Sequence, residues 1–346
     1  MADEQATFVG EHFAASGRRV QLAMRVLITG ANGMIGRQLV QKAVALNWET
    51  TAVILPGTCD RGLSQTRVIR NIFPDEAEMG GIFPSQDLVI NLVGNMRGNH
   101  RRPYVSSNIE YPRRLSAQLS RLSRPPKLIH VSSVAACGPS PDGTPISEDH
   151  PGGPCGMYGI TKRQGEVEIL KRAPQVPSLI LRLPSLYGPE DPCFLDLFKW
   201  ADKGIFPKLC TRTKQFNLLF CEDAIRLLID VATRDFGSGQ IFHAGSNEIV
   251  SDENLAEALG NAAGRKLRRV FVPRAFLRVA VLAERLREMI TGELPLLSRS
   301  KVEEMSQPFW VHDFSRFHHF FGKPVTTPLE AGINTTRSWY KQQGWL

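Results

Sequence analysis

The sequence predicts an α/β fold, in which a doubly wound parallel sheet is followed by a smaller, mostly helical C-terminal lobe. From Met24 onward, short apolar runs alternate with longer amphipathic stretches, which is the pattern of repeated strand–helix–strand units. The first run, Arg25–Thr29, leads directly into a glycine-rich turn and a helical pattern. Apolar residues make up 42% of the chain and charged residues 22%. This composition is that of a folded protein, and it excludes disordered, collagen-like and coiled-coil classes.

The apolar runs predict six strands, and the stretches between and after them predict helices because their apolar residues recur every three or four positions. The predicted strands are Arg25–Thr29, Thr51–Leu55, Arg67–Ile69, Asp87–Leu92, Lys127–Ser132 and Ser178–Leu183. The first helix follows the glycine turn and extends to about Leu46. The later helices are predicted at Asn108–Leu122, Tyr158–Lys171, Phe194–Ala201, Glu222–Thr233, Asp252–Ala263 and Arg274–Ile290.

The predicted organisation has three parts. Residues 1–23 are interpreted as a loose extension, because their acidic residues and lack of an apolar core fit neither a signal nor a transit peptide. Residues 24–188 form the sheet domain. Residues 189–346 form most of a substrate-binding lobe, from which some segments are expected to return to the sheet.

Lys and Arg number 42 against 34 Asp and Glu, a net charge of +8, which favours an anionic partner. Nucleic acid is not expected, because the chain has no aromatic–basic platform. No run reaches the roughly 18 apolar residues of a transmembrane helix. The 6 cysteines lack metal-ligand spacing, so a reduced, cytoplasmic chain without a metal site is predicted. Arg274–Ile290 fits either core packing or a basic amphipathic helix on a membrane surface.

The turn after the first strand has the spacing G-x-x-G-x-x-G, formed by Gly30, Gly33 and Gly36 with Met34 and Ile35 between the last two. Glycines at such positions permit a tight turn and bring backbone N–H groups and a helix N-terminus close to a pyrophosphate. The turn therefore predicts a dinucleotide site in a Rossmann-type sheet. An ordinary tight turn between strand and helix is the alternative.

Two further features supply candidate chemistry. Tyr158 and Lys162 are four residues apart, so on a helix they share a face and the ammonium can favour the phenolate. Ser133 lies at the end of the fifth predicted strand, where ligands bind in such sheets, and its hydroxyl can hold a carbonyl oxygen. For each feature alone there is an alternative, which is a solvated helix face for Tyr158 and Lys162 and a strand cap for Ser133.

Together these motifs resemble the extended short-chain dehydrogenase/reductases, the NAD-dependent epimerase/dehydratase family, over nearly the whole chain from Met24. The segments that carry the resemblance are TGANGMIG at 29–36, DLVINLVG at 87–94, HVSSVAACG at 130–138, the run at 146–166, LRLPSLYGP at 181–189 and the C-terminal LEAGINTTRSWYKQQGWL. The region of Arg274–Ile290 and the following GELP further resembles the lid of 3β-hydroxysteroid dehydrogenase-like or dihydroflavonol reductase-like members.

The resemblance implies roles for individual residues. Tyr158 is the catalytic acid/base, Lys162 lowers its pKa and binds the nicotinamide ribose, Ser133 polarises the carbonyl, and Asn108 matches a helix asparagine near the active site. Ser133 precedes Tyr158 by 25 positions, which favours it over Ser132. The implied contacts to NAD or NADP are Gly30, Gly33, Met34, Ile35, Gly36, Asn71, Ile72, Leu92, Val93, Gly94, Tyr158, Lys162, Pro184 and Ser185.

Some positions depart from the family pattern. Leu55 stands where relatives carry the residue that separates NAD from NADP, so that choice stays open, with Arg61 or Arg67 as candidates for a 2′-phosphate. Ser185 replaces an asparagine common in sugar-nucleotide epimerases, and Asn71 replaces a common aspartate.

The leading functional prediction is an NAD(P)-dependent oxidoreductase that transfers a hydride between nicotinamide and the carbonyl or alcohol of a small molecule. One alternative is a sugar-nucleotide epimerase or dehydratase that reduces bound NAD only transiently; the basic run from Arg97 to Arg102 would then meet a diphosphate. A second alternative is a non-catalytic cofactor-binding subunit. The resemblance also implies a homodimer through helices near Asn108 and Tyr158.

Overall fold

The computed structural model describes residues 23–73, 77–209, 212–295 and 297–346, so the predicted N-terminal extension lies outside the description except for its last residue. The strands are β1 (Arg25–Thr29), β2 (Glu49–Ile54), β3 (Arg67–Arg70), β4 (Leu88–Asn91), β5 (Lys127–Ser133), β6 (Ser178–Leu183), β7 (Ser185–Tyr187), β8 (Ile205–Lys208), β9 (Gln215–Phe216), β10 (Leu218–Phe220), β11 (Gln240–His243), β12 (Val250–Ser251), β13 (Arg268–Phe271) and β14 (Phe309–Trp310). The helices are α1 (Met34–Ala45), α2 (Ala77–Gly80), α3 (Arg101–Val105), α4 (Tyr111–Leu119), α5 (Gly156–Leu170), α6 (Pro192–Asp202), α7 (Cys221–Ala232), α8 (Asp252–Ala263), α9 (Arg274–Thr291), α10 (Arg299–Ser306), α11 (Ser315–Phe321) and α12 (Leu329–Gln342).

Seven parallel strands form the main sheet, in the order β3-β2-β1-β4-β5-β6-β11. The predicted doubly wound α/β fold is confirmed. The strand order reverses between β1 and β4, and in such sheets ligands bind beyond the carboxyl ends of the strands at that point.

Two apolar layers cover the sheet. Because side chains alternate along a strand, Val26 and Ile28 of β1 pack on one face with residues of α1, α7 and α11. Leu27 packs on the opposite face with residues of α4 and α5. A third cluster, built mainly from α6, α8 and α12, forms the core of the C-terminal lobe.

All six predicted strands are present, with bounds that differ by at most two residues. The sequence pattern did not reveal the seventh, β11, which is four residues long and has a polar residue at each end. It pairs only with β6 at the edge of the sheet, so it needs no long apolar run. From Ser185 onward the chain also contains small two- and three-stranded sheets.

The described cysteines, Cys59, Cys137, Cys155, Cys193 and Cys221, are free thiols, and Cys210 lies outside the described residues. Within the described ranges, no helix is long and apolar enough to cross a membrane.

Candidate active site

The glycine turn brings α1 close to the end of β1. Gly30 has a φ of +70°, in the left-handed region that favours glycine, and a Cβ there would lie 3.0 Å from the carbonyl carbon of Leu92. A Cβ at Gly36 would overlap the carbonyl oxygen of Gly30. Gly30 lets the turn pass close to the segment that follows β4. Gly36 lets α1 begin directly against the turn.

The N-terminus of α1 fits a dinucleotide pyrophosphate. Gly33 precedes the helix and offers no side-chain cap, and the first turn has no acidic residue. The first N–H groups of a helix have no acceptor within the helix, and the helix dipole favours an anion beside them. Met34 and Ile35 carry these N–H groups while their half-buried side chains pack into the core. The turn can therefore bind phosphate through its backbone.

Replacing Gly36 by alanine is expected to weaken NAD(P) binding. The added methyl group forces α1 away from the turn, and overpacking of this kind costs about 1–3 kcal/mol. We expect roughly a tenfold loss of cofactor affinity, measured by calorimetric titration. Gly80→Ala is the matched control, because no atom lies within 4 Å of the added Cβ there. Unchanged affinity in the Gly36 variant would contradict this account of the turn.

The segment after β4, residues 92–94, is held from below by a buried amide. The Asn91 Oδ1 accepts hydrogen bonds from the Thr29 hydroxyl at 2.8 Å and from the Val93 N–H at 3.1 Å. The Asn91 Nδ2 donates to Nδ1 of His130 at 2.9 Å. Burial and the nearby Lys162 hold the pKa of His130 well below its usual value, so the ring is neutral and can accept this bond. Leu92, Val93 and Gly94 therefore have a fixed path beside the glycine turn.

The two serines at the end of β5 have different partners. Ser132 is buried and donates to the Glu166 carboxylate at 2.5 Å. The Ser133 hydroxyl accepts a hydrogen bond from the Ala135 N–H at 3.1 Å and lies close enough to Tyr158 to lower the pKa of its phenol. This geometry favours Ser133 over Ser132 as the residue that polarises the carbonyl, as the residue spacing does.

The pKa of Tyr158 is raised to about 12 because burial disfavours the phenolate; the nearby Ser133 hydroxyl lowers it and the Glu304 charge raises it further. The role that the resemblance implies for Lys162, lowering this pKa, stays a prediction. Lys162 is itself buried, which lowers its own pKa to about 8 against the influence of Glu166, and its Nζ donates to the carbonyl oxygen of Val131 at 2.8 Å. Desolvation therefore dominates both groups, and the phenol is protonated at neutral pH.

Two glycines allow α5 to carry Tyr158 and Lys162 so close to the sheet. A Cβ at Gly159 would overlap the carbonyl oxygen of Ala135, just after Ser133. A Cβ at Gly165 would overlap the carbonyl oxygen of Asn108. The helix thus packs with its backbone against the end of β5 on one side and against Asn108 on the other.

Asn108 lies in a π-helical turn, Ser106–Glu110, and is buried. Its Oδ1 accepts from the Asn95 N–H at 2.8 Å, and its Nδ2 donates to the Asn95 carbonyl and the Thr161 hydroxyl, each at 2.9 Å. The side chain ties the loop after β4 to α5. These contacts make Asn108 a positioning residue, and its predicted place among the catalytic residues stays a prediction.

The other predicted cofactor contacts lie along the same edge of the sheet. Pro184 and Ser185 follow β6, and Ser185 is exposed. Asn71 and Ile72 follow β3, with Asn71 buried and Ile72 half exposed. Leu55 follows β2 and is 53% exposed, so the structure offers no acid at that position for a ribose hydroxyl. The choice between NAD and NADP remains a prediction to test.

Sequence reasoning missed a buried ion pair directly beneath the site. Glu166 accepts from Nε and Nη2 of Arg182 at 3.0 and 2.8 Å, while also accepting from Ser132. The available signal was spacing, because Tyr158, Lys162 and Glu166 recur every four residues along one face of α5. It also missed Glu304, a buried carboxyl of α10 whose charge acts on Tyr158 and whose position no short motif indicates.

The seven-stranded sheet and its glycine turn define a dinucleotide-binding α/β enzyme. A model of the NAD dependent epimerase/dehydratase family matches residues 26–245, and the chain belongs to that family. It is an NAD(P)-dependent enzyme of the extended short-chain dehydrogenase/reductase type.

Three similar proteins illustrate its relationships. The chain is 23% identical to a ceramide reductase of Caulobacter vibrioides over 325 residues, 93% of this chain and 96% of that protein. It is 24% identical to dTDP-6-deoxy-L-talose 4-dehydrogenase (NAD(P)(+)) of Kitasatospora kifunensis, over 69% and 79% of the two chains. A crystal structure of UDP-glucuronic acid 4-epimerase from Bacillus cereus with UDP-glucuronic acid and NAD matches with a TM-score of 0.74 and 20% identity, over 92% and 100% of the chains. The finer resemblance to 3β-hydroxysteroid dehydrogenase-like or dihydroflavonol reductase-like members stays a prediction.

Proposed function

We propose that this protein interconverts a ketone and a secondary alcohol, with NAD(P) as the redox partner and reduction as the favoured direction. The observation that carries the proposal is the protonated phenol of Tyr158, which lies beside Ser133 at the carboxyl edge of the sheet. A phenol that is protonated at neutral pH is ready to donate a proton to the oxygen of a ketone as that oxygen gains negative charge.

Each residue then has a defined task. The Ser133 hydroxyl orients the ketone oxygen toward Tyr158, and the Tyr158 O–H gives its proton to that oxygen. Lys162 uses one N–H for the Val131 carbonyl, and its remaining N–H groups are available to the ribose hydroxyls of the cofactor. Bound NAD(P)H supplies the hydride that the ketone carbon receives. The phenolate left on Tyr158 is stabilised by Ser133 and Lys162 until it regains a proton.

For the substrate, we propose a keto group on a nucleotide-linked sugar. The talose dehydrogenase named above and a dTDP-4-dehydrorhamnose reductase of Mycolicibacterium smegmatis, 25% identical over 72% of this chain, carry names of that kind. The loop after β4 places a cation, Arg97, near the start of α6. There it influences the pKa values of Asp191 and Cys193. A homodimer through α4 and α5 remains part of the proposal.

The test is turnover with nucleotide-linked keto sugars in the presence of NADH or NADPH, followed by the absorbance of reduced nicotinamide and by product analysis. We expect one reduced nicotinamide to disappear for each alcohol formed. Conversion of a nucleotide sugar without any net absorbance change would instead establish an epimerase. Cofactor binding without conversion of any tested ketone or alcohol would favour a non-catalytic subunit.

A further inference from the structure

Helix α9 presents its apolar side to solvent. Its exposed apolar residues lie between 52% and 84% accessible, and they recur at intervals of one, three or four residues, so they form one face of the helix. They are Phe276, Val279, Leu282, Leu286, Met289 and Ile290. Soluble single chains rarely expose a continuous apolar patch of this kind without a partner for it.

The side of α9 that faces the rest of the protein carries both charged and apolar residues, the latter including the half-buried Ala280 and Val281. Arg287 pairs with Glu284 at 3.2 Å and with Glu293 at 2.6 Å. Glu288 accepts a hydrogen bond from Asn99 at 2.7 Å, and Leu277 is the buried apolar residue of the helix. The packed side of α9 is therefore held by Leu277 and by polar contacts, while a larger set of apolar residues remains on its solvent side.

The strand that precedes α9, β13, is exposed as well. All four of its residues are exposed, including the apolar Val270 and Phe271. We call the exposed apolar residues of α9 the outer face.

Two arginines border the outer face, and three further cations precede it in the chain. Arg278 and Arg285 lie together along one edge of α9, and Arg265, Lys266 and Arg268 precede it on the loop and β13. All five are exposed, and no ion pair joins any of them to an acid in the part of the chain that the structure describes. An apolar helix face with an arginine edge matches the charge and polarity of a bilayer surface that contains anionic lipids.

We propose that the outer face docks the protein on an anionic lipid bilayer, with α9 lying in the plane of the interface. This inference goes beyond the proposed function and does not depend on it. The apolar residues would enter the boundary of the acyl chains while the five cations meet lipid phosphates.

A second copy of the chain fits this face less well. In an antiparallel pair of α9 helices about a two-fold axis, the edge with Arg278 and Arg285 would lie beside the same edge of the partner, and like charges there repel. A lipid surface instead offers negative charge along the whole edge.

Vesicle sedimentation of the full chain tests the proposal. We expect the protein to pellet with vesicles of phosphatidylcholine containing phosphatidylglycerol, to pellet far less with phosphatidylcholine alone, and to be released by added salt. Leu282→Asp with Met289→Asp should reduce the bound fraction by about tenfold or more, because each apolar side chain then loses its burial. Arg278→Glu with Arg285→Glu should remove the preference for phosphatidylglycerol.

The matched control is Leu46→Asp with Val325→Asp, which adds the same charge at exposed apolar residues outside the outer face. It should pellet like the unaltered protein, and all variants should unfold at the same temperature. Failure of the unaltered protein to bind either vesicle would overturn the proposal, as would equal binding to both. A dimer that the Leu282 and Met289 changes dissociate, without vesicle binding, would assign the face to a second copy instead.

Discussion

Replacing Tyr158 by phenylalanine is expected to lower kcat for ketone reduction by about 10²- to 10⁴-fold, the range that a positioned general acid contributes. The change removes only the hydroxyl near Ser133, and the ring still fills its place on α5. The glycine turn that fits the pyrophosphate is untouched. Affinity for NAD(P), measured by titration, should therefore stay close to that of the unaltered protein.

Tyr187→Phe is the matched control for this change. Tyr187 is a fully buried tyrosine, but it lies in the core of the C-terminal lobe with Phe220 and Ile333. Its variant should keep full activity. Equal activity of the Tyr158 and Tyr187 variants would overturn the assignment of Tyr158 as the proton donor.

The pH dependence of the unaltered enzyme should report the same group. Because burial raises the pKa of Tyr158 to about 12, the phenol stays protonated through neutral and moderately alkaline pH, and reduction should not decline from loss of this proton. Alcohol oxidation needs the phenolate, so its rate should rise with pH, by about tenfold per unit below the pKa. The Tyr158→Phe variant should lose this rise. A flat oxidation profile in the unaltered enzyme would contradict the raised pKa.

The sheet could be predicted because parallel strands are covered on both faces. A strand such as β1 then contains a continuous apolar run, and its bounds follow from the sequence alone. The glycine turn and the spacing from Tyr158 to Lys162 were equally visible, since each depends on a local requirement of the backbone or of one helix face. Ser133 could be selected because it lies at the end of a predicted strand.

Other features depend on what surrounds a residue, and local sequence does not contain that information. The direction of the pKa shift of Tyr158 comes from burial beneath segments far away in the chain, including α10 with Glu304. The periodicity of α9 revealed an amphipathic helix but not which of its sides faces the protein. The partner of Glu166 lies on β6, and no spacing rule connects the two residues before the fold is known.

Replacing Glu166 by glutamine is expected to cost about 3–5 kcal/mol of the free energy of unfolding, because it leaves the guanidinium of Arg182 buried without a counter-charge. Both side chains are buried, at 2% and 5% exposure, so water cannot replace the lost carboxylate. Urea unfolding of the full chain measures the loss. Asp230→Asn provides the matched control, because its pair with Arg234 is nearly half exposed and an exposed pair contributes about 1 kcal/mol or less.

The double variant Glu166→Leu with Arg182→Met separates loss of the pair from loss of packing. If the cost in Glu166→Gln comes from the uncompensated charge, replacing both partners by apolar groups should restore much of the stability, since neither charge then needs a partner. Activity should not recover in parallel, because Ser132 loses its acceptor at the end of β5 and Lys162 loses the carboxylate that raises its pKa. Recovery of stability without recovery of kcat would identify Glu166 as a residue that positions the site as well as a partner in the core. Recovery of neither stability nor kcat would mean that packing, and not charge, dominates the contribution of Glu166 to stability.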